Sequence, residues 1–320
     1  MSKTVKTWYV TAAFLVAFGL VLFVVVMATQ GFDFTKLNTE KFETNTYEVS
    51  GIFDRIKLDV GTTEVEFVPS DDGNCRIVCY EAEKEKHSAT VQDGTLVINA
   101  VDTRRWYEHI GFFIGTPKMT VYLPKTTYES LFMDVGTGDV AIPGDFVFGD
   151  LEIKGGTGDV LCRASVSNVM KIKRGTGTIE ADGFSAGEVR LSTGTGAVKV
   201  NAAAVQGSVS IETGTGAVRL SDVTCVDCRA ESGTGVISLR KVIASGGFSI
   251  ENDTGDVKFE DSDAARIFVK TGTGSVTGSL LSDKVFLTET GTGSVSVPKT
   301  VTGGTCEIKT GMGDIKIEIR

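Results

Sequence analysis

The chain is 320 residues long, carries 38 glycines against 5 prolines, and has a formal charge of −9. This length can bury a substantial core. The acidity, with no run of lysine and arginine, excludes a nucleic-acid binder and a polybasic grip on anionic lipid.

The first element is apolar. Trp8–Thr29 reads WYVTAAFLVAFGLVLFVVVMAT without a charge, and about twenty such residues cross a bilayer core of roughly 30 Å as a helix. Lys3 and Lys6 precede it, and Trp8 and Tyr9 stand where an interfacial aromatic pair belongs. A cleaved signal peptide with VMA (Val26–Ala28) as its cleavage site is the competing reading. The run outlasts the roughly 7 to 15 apolar residues of a signal core, which favours a retained anchor. Expected are a cytoplasmic tail over 1–7, a single transmembrane helix over 8–29, a linker over 30–45, and an extracytoplasmic remainder.

Residues 46–128 are expected to form a β cap region. GTLVIN (Gly94–Asn99) and MTVYLP (Met119–Pro124) are strand-like, and VGTTEVEFVPS (Val60–Ser70) is a decayed copy of a corner that recurs downstream. RRWYEHIGFFIG (residues 104–115) is irregular and aromatic. Its Trp106, Tyr107, Phe112 and Phe113 are candidates for a specific contact or for closing the end of a core.

From 129 to 320 one motif returns every 19 or 20 residues, beginning at Gly136, Gly156, Gly175, Gly194, Gly214, Gly233, Asp253, Gly272, Gly291 and Gly311. With that residue as position zero, position +4 is Val or Ile in every repeat, from Val140 through Val218 to Ile315. Position −3 is apolar apart from Thr288, and position −2 is polar throughout. Alternation of period two marks a half-buried strand, so each repeat holds a strand, a Gly-Thr-Gly corner, a second strand and a further turn. Two short strands cannot cover their own apolar face, but stacked units can. The fold class is therefore all-β: a β-solenoid, like a parallel β-helix, of about ten coils and roughly 50 Å. A sandwich of hairpins has no reason to repeat one residue type at one offset ten times.

The corners invite three chemical readings. A phosphate loop needs a lysine and a following helix, and neither is present. Calcium needs six to eight oxygens, yet only Asp139, Asp159, Asp256 and Asp314 supply a carboxylate at +3. A threonine file at +1, from Thr137 to Thr292 and broken at Met312, resembles those of ice-binding proteins, but glycine-flanked corners suit a turn-capping hydroxyl better. Cys225 and Cys228 form a lone CxxC, where zinc wants a second pair. Cys162 and Cys306 fall on inward positions and read as small hydrophobes. His87 and His109 have no recognisable partner in the sequence. No catalytic residue, cofactor or metal is expected, and the first motif glycines are assigned as structural turns.

The amino-terminal anchor, VSGIFDRIKLDVGTTEVEFVPSDD, RRWYEHIGFF and VYLPKTTYESLFMDVGTGDV, followed by serial TGD and GTG corners, together resemble the bacterial LiaG-like domain of unknown function, labelled "putative adhesin". The similarity covers about residues 45 to 320, with LPKTTYESLFMDVGTGDV its most specific part. It implies a β-solenoid on a bacterial envelope and carries over no catalytic residue. The expected function is a non-enzymatic, membrane-anchored cell-surface protein, an adhesin or envelope-binding scaffold meeting a protein or a glycan. The alternatives are a regulatory accessory of an envelope-stress or transport system and, third, a glycan-active enzyme.

Overall fold

The computed structural model describes residues 3–33, 41–106 and 115–320. They form two compact units: Met1–Glu43 with Ala82–Glu85 and Asp102–Gly115, and Thr44–Glu81 with Lys86–Val101 and Thr116–Arg320.

The first unit contains one helix, Lys3–Thr29, which begins ahead of Trp8 because nothing in the preceding residues breaks it. Its stretch Val5–Thr29 is long and apolar enough to cross a membrane. Phe14, Leu15, Val16, Phe18 and Leu20 are all exposed, so the apolar surface runs round the helix and leaves no polar face to meet water. In the same unit, Arg104 pairs with Glu85 at 2.6 Å and with Asp102 at 2.7 Å.

The second unit is the solenoid. The strand before each corner pairs in parallel with the same strand of the next coil: Leu191 stands beside Ile211, and Ile211 beside Ala230. The strand after the corner does likewise, with Val198 beside Val218 and Val218 beside Ile237. In-register stacking turns the alternation of each strand into columns. Nine of the ten +4 residues are fully buried, Val198, Val218 and Ile237 among them at 0 % exposure. Each such side chain contributes about 1.5–3 kcal/mol relative to leaving it in water.

Two features of the coil follow no glycine motif. Ala202, Asp222, Lys241 and Asp261 each adopt φ of 47–56°, eight residues after the motif start. This left-handed bend splits the sequence's second strand into two sides. Val223 and Val242 then lie buried on a third wall that the strand–corner–strand expectation did not contain.

The coils are also not stacked in sequence order. Arg55–Thr62 pairs with Thr127–Thr137 on one side and with Thr95–Asp102 on the other. The stretch at Val60–Ser70 thus forms a full coil, packed between the first motif coil and one built from Thr95–Asp102 and Lys118–Leu123. Cys75–Ala82 closes this end by running antiparallel to Lys118–Leu123. At the other end, Gly304–Met312 lies between Val257–Thr273 and Lys284–Thr292. The last repeat in sequence is therefore the penultimate level, and the Gly291 coil is terminal. Its +4 residue Val295 is 44 % exposed, and Thr288 is the one polar residue in its column.

Tyr128, in the most family-specific stretch, is a core residue. Its ring lies between Phe53 and Phe148, at 6.1 and 5.8 Å between centroids, and its hydroxyl donates to the Pro124 carbonyl at 2.9 Å.

Candidate functional site

The corners are the obvious place to look for a ligand, and many of their hydrogen bonds run from one coil to the next. The left-handed turn falls on the second motif glycine: Gly138, Gly196, Gly216 and their counterparts have φ between 127 and 154°. The first motif glycines, Gly136, Gly156, Gly175, Gly194, Gly214, Gly233, Gly272, Gly291 and Gly311, take no such φ. They are needed for close approach instead: a Cβ at Gly194 would lie 2.6 Å from the Gly175 carbonyl oxygen.

From Thr193 onward, the residue just before the motif caps the neighbouring coil. Thr193 Oγ1 donates to the Gly177 carbonyl at 3.1 Å, Thr213 to Gly196 at 3.1 Å, Ser232 to Gly216 at 3.2 Å and Thr310 to Gly274 at 2.9 Å. Asn252 serves the same carbonyl position through Nδ2, reaching Gly235 at 2.9 Å. These side chains are buried, whereas the +1 threonines expected to cap the turn point to solvent. The hydroxyl ladder exists, displaced by two residues from its expected file.

The +3 aspartates cap too. Asp139 Oδ1 accepts the Asp159 amide at 2.7 Å, Asp159 accepts that of Thr178 at 2.7 Å, and Asp256 accepts that of Ser275 at 3.0 Å. Asp314 accepts the amide of Ser294 at 2.7 Å and its hydroxyl at 2.9 Å, which together hold the carboxyl below its ordinary range. The direction, each coil capping the next one out, holds even where the coils stand out of sequence order.

One corner is built differently. Arg174 occupies the capping position and is 1 % exposed. Its Nη1 donates to the Val135 carbonyl at 3.1 Å and its Nη2 to that of Gly138 at 2.8 Å, passing over the intervening coil. Gly155 makes the room, since a Cβ there would lie 1.7 Å from Nη1. Burial pushes the guanidinium pKa down, opposed by nearby Asp139 and Asp159, but arginine stays charged across the accessible pH range.

The side faces carry the recesses. One groove of about 430 Å³ is lined by Glu66, Lys118, Asp139, Asp159, Glu180 and Lys199, with Lys199 paired to Glu180 at 3.2 Å. A second, of about 630 Å³, is lined by Ser210, Ser249, Arg190, Arg229, Arg266 and half-buried Phe268. Glu188 pairs with Arg190 at 2.8 Å, and Arg229 is paired with Glu231. The groove runs from the Gly194 coil to the Gly311 coil, six levels, or roughly 24 Å at about 4.8 Å per level.

Of the candidate contact residues, Trp106 is 77 % exposed and so closes no core. Tyr107, Phe112 and Phe113 lie outside the described residues, as does His109. All six cysteines are buried thiols. His87, in contrast to the sequence reading, has a partner: its Nδ1 lies 2.6 Å from Glu81 Oε2. Glu81 and His87 sit on neighbouring strands, which single-strand spacing does not reveal.

The thiols make a testable statement about pH. Burial pushes Cys75, Cys79, Cys162 and Cys306 up from an ordinary value near 9 to about 12. An unfolded chain releases these protons from about pH 9 and the folded chain does not, so their contribution to stability is intact below pH 9 and is lost as pH rises toward 12. The urea midpoint is expected to fall across that window, and Cys162→Ala to reduce the slope by one proton. A midpoint independent of pH up to 12 would contradict this burial.

A solved structure shares the fold. A Parabacteroides distasonis protein named "putative lipid binding protein" is 18 % identical, with a TM-score of 0.51 over 75 % of this chain and 98 % of its own. A Bacteroides fragilis "putative adhesin" is 18 % identical over 87 % of this chain and 97 % of its own, with a TM-score of 0.40. A second Parabacteroides distasonis protein, also named "putative adhesin", is 11 % identical over 75 % and 98 %, with a TM-score of 0.49. No curated protein matches the chain. The Toastrack DUF4097 family matches residues 53–234, from the out-of-order Gly61 coil through the Gly233 corner and over more than half of the sequence, and the chain belongs to that family.

Proposed function

We propose that this is a non-enzymatic, membrane-anchored surface protein whose solenoid lays a side face against an extended envelope glycan. The helix over residues 8–29 holds it as a single-pass protein, with its amino terminus in the cytoplasm and the solenoid outside. The observation that carries the reading is the six-level groove beside Phe268 and Arg266. Its length suits a polymer in extended form, the Phe268 ring offers a face for a sugar to stack on, and the arginines and serines supply donors and acceptors for hydroxyl and carboxylate groups.

The full chain in detergent, mixed with insoluble bacterial cell-wall glycan, is expected to sediment with it. The double variant R266A/F268A is expected to bind at least about tenfold more weakly, the loss of an interface anchor. Binding that is unchanged in that variant overturns the groove assignment, and capture of an envelope protein in place of glycan overturns the ligand class.

A further inference from the structure

The strand Cys75–Ala82 and the strand Glu85–Gln92 carry three chemically different donors to one buried point. Cys79 and Glu81 lie two residues apart and so share a face; both are 0 % exposed, and His87 is 6 % exposed. One ligand atom from each of the three lies within 4.8 Å of the others. The carboxylate is held from both sides: Tyr47 Oη and Asn45 Nδ2 donate to Oε1 at 2.5 and 2.8 Å, and the His87 amide donates to Oε2 at 2.7 Å.

We propose that Cys79, Glu81 and His87 form a binding site for one transition-metal dication of the zinc or cobalt class. A sulfur, a nitrogen and a carboxylate oxygen suit such an ion and not calcium or magnesium, which want oxygen alone. Tyr47, Asn45 and the His87 amide are the outer hydrogen bonds that aim a ligating carboxylate.

The charge balance favours the same reading. A buried Glu81 carboxylate needs a compensating positive charge. An imidazolium at His87 would supply it, but would place a charged N–H at Nε2, which is buried and has no partner among the described residues. A dication with the Glu81 carboxylate, the Cys79 thiolate and a neutral His87 sums to zero and buries no charged N–H. On binding, the Cys79 thiol proton leaves to solvent and the neutral ring keeps its single proton on Nε2. The geometry needs little change: two ligands about 2.0 Å from a tetrahedral zinc stand about 3.3 Å apart, so the 2.6 Å contact between Nδ1 and Oε2 opens by less than about 1 Å.

The test uses the full chain in detergent, stripped with EDTA and titrated with Co²⁺. Because Cys225 and Cys228 are a second thiol pair, C225S/C228S is the reference protein. It is expected to bind one Co²⁺ per chain, with a near-ultraviolet thiolate-to-cobalt band that Zn²⁺ displaces. C79S is expected to lose the band, and H87Q and E81Q to weaken affinity by at least about tenfold. Zn²⁺ is expected to raise the melting temperature of the reference protein and not that of H87Q. No saturable band in the reference protein, or a band that survives C79S, overturns the assignment. Should C79S not fold, H87Q decides: reference affinity retained in H87Q overturns the site equally.

Discussion

A Gly216→Ala chain is expected to be about 3 kcal/mol or more less stable than the parent, while Thr215→Ala beside it stays within about 0.5 kcal/mol. A Cβ at Gly216 would lie 1.9 Å from the Gly196 carbonyl oxygen, in a residue whose φ is 152°. The backbone strain and the collision add, and neither is relieved by a side-chain movement, because the obstacle is the neighbouring coil's main chain. The collision also displaces the carbonyl that accepts the Thr213 hydroxyl, so the capping ladder is damaged with it. Thr215 is exposed and caps nothing. Urea unfolding of the two variants decides the matter. Equal midpoints would mean that the corner glycines are replaceable and that the close approach of the coils does not require them.

The second large effect belongs to Arg174. Arg174→Ala is expected to cost about 2–4 kcal/mol, since it empties a buried volume and leaves the Val135 and Gly138 carbonyls without the donors that now satisfy them. Arg174→Thr is expected to recover about 1 kcal/mol of this, because a hydroxyl at that position elsewhere in the stack donates to the adjacent coil's second glycine, as Thr193 does to Gly177. The ordering parent, threonine, alanine in urea midpoint is the result to look for. If alanine equals the parent, the guanidinium contributes nothing net, as buried ionic groups sometimes do.

Much of this protein is legible in its sequence because a stacked solenoid repeats one environment. The Val/Ile column at +4 and the polar column at −2 state which side faces in at each level. The inward placement of Cys162 and Cys306 follows from the same count and holds in the structure, both at 0 % exposure. Other features were invisible for identifiable reasons. The bend at Ala202, Asp222, Lys241 and Asp261 has no shared residue type to announce it. Arg174 reads as an ordinary surface charge, because a lysine at Lys173 precedes it and a glycine corner follows. Only the vacancy left at Gly155, one coil away, accounts for its burial. Glu81 and His87 meet across neighbouring strands, and no periodicity within either strand encodes that pairing.

The sequence by itself determined the repeat, the in–out pattern of the strands flanking each corner and the apolar helix, since each depends on neighbours a few residues away. Only the tertiary structure decided the order of the coils. The edge of one parallel coil offers the same row of N–H and C=O groups as the edge of another, so hydrogen bonding alone does not say which repeat comes next. The choice falls to the side chains at the open end: the coil with Thr288 in its apolar column leaves less apolar surface uncovered than one with Ile308 there, and so the Gly291 repeat is outermost and the last repeat in sequence lies beneath it.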